Sequence, residues 1–372
     1  MPTTPPPLDL PIGPVTEFID GGGMECGSGL LLLLTRAMRR LQPGARLGLR
    51  STEPSVGPDL AVWSDLVGHP ISATASESPA GPWWFAIEKA AAAPRAAERG
   101  GDSPGEAAFS SGDRTPIGQR LWVYTNFDCN LACSYCCAQS SPRAPQRRMP
   151  VETTRELMTQ LREIGGQEVY FTGGEPFMHP DLLALVEAAE GFARTILTNA
   201  MIFGRGARHE TLRSLERDVT LQVSLDSATP EIHDRQRGLG SWSRAVDGIA
   251  LARSLGFRVR VAATVHPQEA DSVAALQARL DADGIPAVDR LIRPIAHEGF
   301  ADTGVHVSID TLEPEPTVTA DGAWWHPVAV TNPNLRVAAA PLPLAEVFAV
   351  VRDTVAVQDA AARSGREVFR CA

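Results

Sequence analysis

Four of the chain's six cysteines fall within nine residues, at Cys129, Cys133, Cys136 and Cys137. The run CNLACSYC spaces the first three as CxxxCxxC. Thiolates are soft ligands that suit iron–sulfur clusters or zinc. Three close thiolates without a distant fourth leave one coordination position open, and an open position invites chemistry. Cys137 would complete a zinc tetrad, but adjacent cysteines point in divergent directions and serve one ion poorly. A structural zinc knot stands as the alternative. Two cysteines lie apart. Cys26 sits just ahead of an apolar helix, where the dipole favours thiolate. Cys371 is penultimate, on a tail read either as reaching the active site or as an inert end.

The elements that must place these residues follow from the hydrophobic pattern. At about 150 residues per domain, 372 residues predict two or three domains. Residues 1–14 hold six prolines and read as a loose tail. Residues 15–92 predict a small α+β two-layer sandwich: strand VTEFI, helix LLLLLTRAMRRL, strand ARLGLRS, a helix near Leu60–Val67 and a strand near Trp83–Ile87. Residues 93–118, rich in Ala, Gly, Ser and Pro, predict a linker. From Gln119 six strands alternate with amphipathic helices, at 121–125, 168–172, 194–198, 219–225, 258–265 and 290–295. Such alternation predicts an α/β fold with a parallel sheet: a partial (β/α)6 TIM-type barrel over 119–299, two units short of eight. The cysteine run then follows the first strand, at the end where parallel sheets assemble active sites. Residues 300–372 predict a hairpin about Asp321-Gly322 and then a helix.

Composition narrows the function. Apolar residues make up 44% and charged residues 21%, as in ordinary globular chains. A net charge of -10 argues against a nucleic-acid or anionic-membrane partner. No apolar run approaches the roughly 20 residues of a bilayer span. The opening residues lack the pattern of a secretory signal, and the few clustered cysteines suit a reducing compartment, so the expected location is the cytoplasm.

The cysteine run, with Tyr135 before its third cysteine, resembles the cluster loop of the radical S-adenosylmethionine (SAM) superfamily. Gly173-Gly174-Glu175-Pro176 follows the second strand like that superfamily's GGEP motif. Leu197-Thr198-Asn199 ends the third strand and Ser224-Leu225-Asp226 the fourth, leading into a stretch similar to the peptide- and cofactor-maturing branch. The resemblance covers about 119–295. It implies a 4Fe–4S cluster on Cys129, Cys133 and Cys136, and SAM bound at its open iron. It also implies that Gly173 and Gly174 let backbone approach the methionine moiety, and that Glu175 beside Pro176 sets charge near its ammonium. Asn199, Ser224 and Asp226 would bond its carboxylate or ribose, or else cap helices. Reductive cleavage would give a 5′-deoxyadenosyl radical, with electrons from a flavodoxin- or ferredoxin-type donor. His233 and Arg237 read as a solvated loop face, His179 as the start of a helix, and Cys137 as a buried bystander.

Residues 15–92 resemble the TusA-type sulfurtransferase fold, through Asp20-Gly21-Gly22-Gly23-Met24-Glu25-Cys26, Leu41-Gln42-Pro43-Gly44, Trp63 and Gly68-His69. Gly27 and Gly29 stand where that family has prolines. The combined resemblance implies a radical SAM enzyme acting on a small metabolite or cofactor precursor, with C–S bond formation through sulfur that Cys26 relays from a cysteine desulfurase. A peptide maturase is the alternative within the enzyme class. A non-catalytic Fe–S or sulfur-carrier protein is the alternative outside it. No cysteine lies between Cys137 and Cys371, so a SPASM-type auxiliary cluster is not expected.

Overall fold

A computed structural model of the chain describes residues 10–24, 30–54, 56–78, 81–90, 116–266, 269 and 272–363. They divide into two compact units. The smaller holds the described residues up to 90, with 308–313 and 349–363. Its elements are β1 (Glu17–Asp20), α1 (Leu30–Arg40), β2 (Arg46–Ser51), α2 (Val56–Val67), β3 (Ile71–Ser76) and β4 (Trp83–Glu88). The sheet order is β1-β2-β4-β3, with β1 and β2 parallel and the other pairs antiparallel. Helix α1 forms because Leu30, Leu34, Ala37, Met38 and Leu41 recur on one face, and all are buried. Arg39 and Arg40 close its last turn, where cations favour the dipole. The buried apolar face meets Leu47 and Leu49 of β2 and Trp63 of α2.

The larger unit spans Pro116–Val307 and Pro314–Phe348. It runs β5 (Arg120–Asn126), α3 (Val151–Glu163), β6 (Glu168–Gly173), α4 (Leu182–Ala188), β7 (Ala193–Thr198), α5 (Ala207–Ser214) and β8 (Thr220–Ser224). Then come α6 (Pro230–Arg237), α7 (Ser241–Ser254), β9 (Val259–Val265), α8 (Ser272–Ala282), β10 (Arg290–Pro294), β11 (Thr317–Thr319), β12 (Gly322–Trp324) and β13 (Arg336–Ala338). Helix α9 (Leu344–Arg363) starts here, and its residues from 349 onward belong to the smaller unit. The sheet order is β10-β9-β8-β7-β6-β5-β11-β12-β13. Strands β5 to β10 are all parallel to their neighbours, which aligns their C-terminal ends. β5 is buried along nearly its whole length, as a strand covered on both faces must be.

The sheet stays open among the described residues, with β10 and β13 as its edges. Two expectations change. The hairpin β11–β12 forms about Asp321, but β11 adds to the sheet beside β5 and is no separate extension. The remaining tail is divided: residues 308–313 and 349–363 group with the smaller unit. There Val357 enters the apolar core, and Gln358 Nε2 donates to Ile309 O (3.1 Å) and Asp310 Oδ1 (3.0 Å). Residues 1–9 of the expected tail, residues 93–115 of the expected linker, Cys26 and Cys371 lie outside the described residues.

Leu49→Ala should destabilise the smaller unit by about 2–5 kcal/mol, since Leu49 is fully enclosed. Hydrogen exchange of the β2 amides should accelerate accordingly. Unchanged protection there would show that the core does not depend on this contact.

Candidate active site

The loop after β5 is fixed before any cofactor is considered. Asn126 ends that strand, buried, and its Nδ2 donates to Asp128 O (2.7 Å) and Glu175 O (3.1 Å). Arg148 pairs with Asp128 (3.1 Å), and Ser134 N donates to Gln236 O (2.9 Å). Cys129, Cys133 and Cys136 thereby line one cavity of about 180 Å³. All six parallel strands reach it: Tyr124 from β5, Gly173 from β6, Thr198 from β7, Ser224 from β8, Thr264 from β9 and Arg293 from β10.

Backbone N–H groups already point at two of the sulfurs. Leu131 N donates to Cys129 Sγ (3.4 Å) and Ser140 N to Cys136 Sγ (3.3 Å). Burial opposes ionisation of the free thiols. It raises Cys129 far above the ordinary range, assisted by the Glu175 charge, and pushes Cys133 to about 11 and Cys137 to about 12. Metal binding must therefore expel protons from this loop. Among the described residues no three ligating side chains converge on one metal-ion position. A single zinc would require thiolates within about 2.3 Å of one point. A cluster takes each thiolate on a different iron, so three thiols that line one cavity without converging on a point suit it better.

Both motif glycines are required by the chain itself. Gly173 has φ +145°, and a Cβ there would stand 2.4 Å from Asn126 O. A Cβ on Gly174 would stand 2.3 Å from Asp128 O. The backbone after β6 is thus pressed against the start of the cysteine loop, a closer need than the expected approach to methionine.

The remaining expected contacts separate into two groups. Tyr135, Gly173, Gly174, Asn199 and Ser224 line the cavity. Glu175, Pro176 and Asp226 do not line it and are buried. Glu175 accepts from Thr198 Oγ1 (2.8 Å), Asn199 N (2.8 Å) and Phe177 N (3.2 Å), clamping the ends of β6 and β7 together. Burial pushes its pKa up to about 7 against these donors. Asp226 accepts from Arg237 Nε (2.6 Å), Tyr135 Oη (2.6 Å) and Thr264 N (3.0 Å). Burial alone would raise its pKa, but the Arg237 charge and these hydrogen bonds bring it below the carboxylate norm.

His233 and Arg237 do not form a solvated loop face. Both lie on α6, His233 is fully buried, and Arg237 reaches the cavity while stacking over Tyr135 at 5.4 Å. His179 caps a 3-10 turn through its backbone N–H to Pro176 O (2.9 Å), its ring Nε2 lies 3.1 Å from Met149 O, and it precedes α4 by three residues. Cys137 lines the cavity as well. Asn126 and Arg293 were missed by sequence reasoning. The signal for each was a polar residue at the end of an apolar strand, in YTNFDC and LIRP.

His233 Nδ1 accepts from Asp226 N (3.2 Å), which requires the neutral ring. Burial and then the Arg237 charge lower its pKa from 6.5 to about 4. Its contribution is complete above pH 6.5 and is lost as pH falls towards 4. The melting temperature of His233→Gln should therefore fall less steeply than that of the wild type across that window. Equal slopes would show that His233 is not the titrating group.

The Radical SAM superfamily profile matches residues 123–277. AdoMet-dependent heme synthase of Oleidesulfovibrio alaskensis is 28% identical over 148 residues, 39% of this chain and 37% of the relative. The subtilosin biosynthesis protein AlbA of Bacillus subtilis is 32% identical over 140 residues, 37% and 31% of the two chains. Mycofactocin maturase MftC of Mycobacterium ulcerans is 32% identical over 175 residues, 43% and 44%. The chain spans less than half the length of these relatives. The solved structure of histidine-tagged anSMEcpe with bound AdoMet superposes with a TM-score of 0.51 at 14% identity, covering 63% of this chain and 79% of that one, a likeness of fold alone. Among the described residues no helix is long and apolar enough to cross a membrane. The stretch that carries the cysteine loop and the strand ends around it, residues 123–277, is a radical SAM domain, of the kind that takes a 4Fe–4S cluster and S-adenosylmethionine.

Proposed function

We propose that the chain is a radical SAM enzyme that cleaves S-adenosylmethionine reductively and modifies a small metabolite or cofactor precursor. One observation carries this reading: three thiols on the loop after β5 share a cavity with the ends of all six parallel strands. We read those six strands as a partial (β/α)6 barrel. Cys129, Cys133 and Cys136 would hold the cluster, which supplies the electron that breaks the cosubstrate's sulfonium bond and so starts hydrogen abstraction.

The chain's own part is positioning. The Asp226–Arg237 pair fixes Tyr135 at the cavity wall, and with it the segment between Cys133 and Cys136. Glu175 holds the turn that presents Asn199. Asn199 and Ser224 offer polar groups to the cosubstrate's carboxylate or ribose. Arg237 is neutralised by Asp226, whereas Arg293 faces the same cavity with no ion pair among the described residues. Among the described residues no carboxylate lines that cavity, so Arg293 suits an anionic group on the cosubstrate or substrate.

The smaller unit would serve as a TusA-like sulfur carrier. In that reading Cys26, four residues before α1, receives sulfur from a cysteine desulfurase and passes it on for C–S bond formation, with Cys371 a further thiol for the active site. A second reading is maturation of a ribosomally made peptide, favoured by the similarity to AlbA and MftC. The expected location is the cytoplasm.

Anaerobically reconstituted protein with S-adenosylmethionine and dithionite should form 5′-deoxyadenosine. Cys133→Ala should lose the cluster and all product, because two thiolates cannot hold it. Cys26→Ala should keep both and lose only turnover of the true substrate. Product from Cys133→Ala, or none from a fully loaded wild type, would overturn the radical reading. Loss of uncoupled cleavage in Cys26→Ala would overturn the separate carrier role.

A further inference from the structure

A second cavity, of about 620 Å³, opens on the other side of the turn that follows β7. Its walls come from the segment 200–208, from α7, and from Asn130 of the cysteine loop. Arg205, Arg208 and Arg244 line it from two separate elements, and all three are exposed. None of them has an ion pair or hydrogen bond among the described residues. Other surface arginines of the same unit are engaged: Arg217 Nε donates to Leu255 O (2.8 Å), and Arg258 pairs with Asp289 (2.6 Å). Among the described residues the single opposing charge in the cavity wall is Asp247. Three cations against one anion stand out on a chain whose net charge is -10. Between them the wall is apolar, with Met178, Ile202 and Leu251.

The cavity is also next to the redox centre that the proposed function requires. Asn130 forms part of its wall and accepts from Asn199 Nδ2 (2.8 Å). The Asn130 side chain is 4.0 Å from Cys129 Sγ. One side chain thus separates the arginine-lined surface from a cluster ligand, and electron transfer weakens steeply with distance. We propose that this cavity docks a small acidic electron-carrier protein, whose carboxylates meet Arg205, Arg208 and Arg244 and whose cofactor delivers electrons through the Asn130 edge. The proposal rests on the radical SAM reading. In each transfer the reduced carrier loses one electron and the oxidised cluster gains it, with no bond made or broken. An apolar centre rimmed by charge has the anatomy of a transient protein interface. Opposite charge would steer the encounter and make it sensitive to salt. A phosphate-bearing small molecule is the competing occupant.

The test compares two reductants on the cluster-loaded protein. With reduced flavodoxin below saturation, the triple variant Arg205→Glu, Arg208→Glu, Arg244→Glu should form 5′-deoxyadenosine about tenfold more slowly than the wild type, and added salt should slow only the wild type. With dithionite, a small reductant that needs no docking, the two proteins should react at the same rate and carry the same iron. Equal loss with both reductants would make the arginines part of the site or the fold, and overturn the proposal. An unchanged flavodoxin rate would overturn it too, and binding of pyrophosphate lost in the variant would then identify a small-anion site. If the wild type forms no product with dithionite, the radical reading fails on its own. Calorimetric titration of flavodoxin into both proteins still decides the docking, since weaker binding to the variant supports it and equal binding refutes it.

Discussion

The close approach of two backbones at the top of β5 and β6 is the contact on which the site depends. Asn126 and Asp128 leave no space for a side chain at Gly173 or Gly174. Asn126 Nδ2 bridges the same two segments through Asp128 O and Glu175 O. The cysteine loop is consequently built onto the strand that follows it, and Cys129 inherits its position from main-chain packing. Any Cβ at these glycines would have to displace backbone, which flexible side chains cannot absorb. The loop's thiols are placed by the chain itself, so that metal binding there would have less chain to order.

Two buried carboxylates extend that constraint around the sheet. Glu175 ties β6 to β7 through three donors. Asp226 ties β8 to β9 through Thr264 N, and to the loop through Tyr135. Their charges are managed differently. Asp226 is fully compensated by Arg237 and is held ionised, as buried pairs require. Glu175 has hydrogen bonds but no cation, and burial carries it to about 7. Both act by holding neighbours, one shell behind the cavity surface. That explains how acidic motif residues can matter to a site they do not line.

Much of this was legible locally. Each of the six parallel strands is an apolar run bounded by polar or Gly-rich turns, and the structure places each within two residues of its expected bounds. The CxxxCxxC loop and the motifs at strand ends were readable because spacing and strand order fix which residues meet. β3 was not, because ISATAS presents only Ile71 and two alanines on its half-buried face, alternating with exposed Ser and Thr. The burial of His233 and Arg237 was hidden as well. A run such as EIHDRQRG carries the composition of a solvated face, and only the partner Asp226 makes burying Arg237 tolerable. The division of the tail followed from no local pattern. Val357 and Gln358 find their partners through long-range packing, to which periodicity is blind.

The turn after β7 connects the two cavities and constrains how they can differ. Ala200 holds a positive φ of 58°, and a Cβ on Gly248 of α7 would stand 2.3 Å from Ala200 O. Helix α7 therefore presses its backbone directly against this turn. On one side the turn presents Asn199 to the cysteine cavity; on the other it leads into Met201–Arg208, the wall of the second. Because backbone contact holds the turn, charges on its outer side can change without moving Asn199. On the proposed reading, such a division would let one protein face be matched to a redox partner while the strand-end residues are matched to a substrate. It also confines their communication to a short path, through Asn130 and the hydrogen bond it accepts from Asn199.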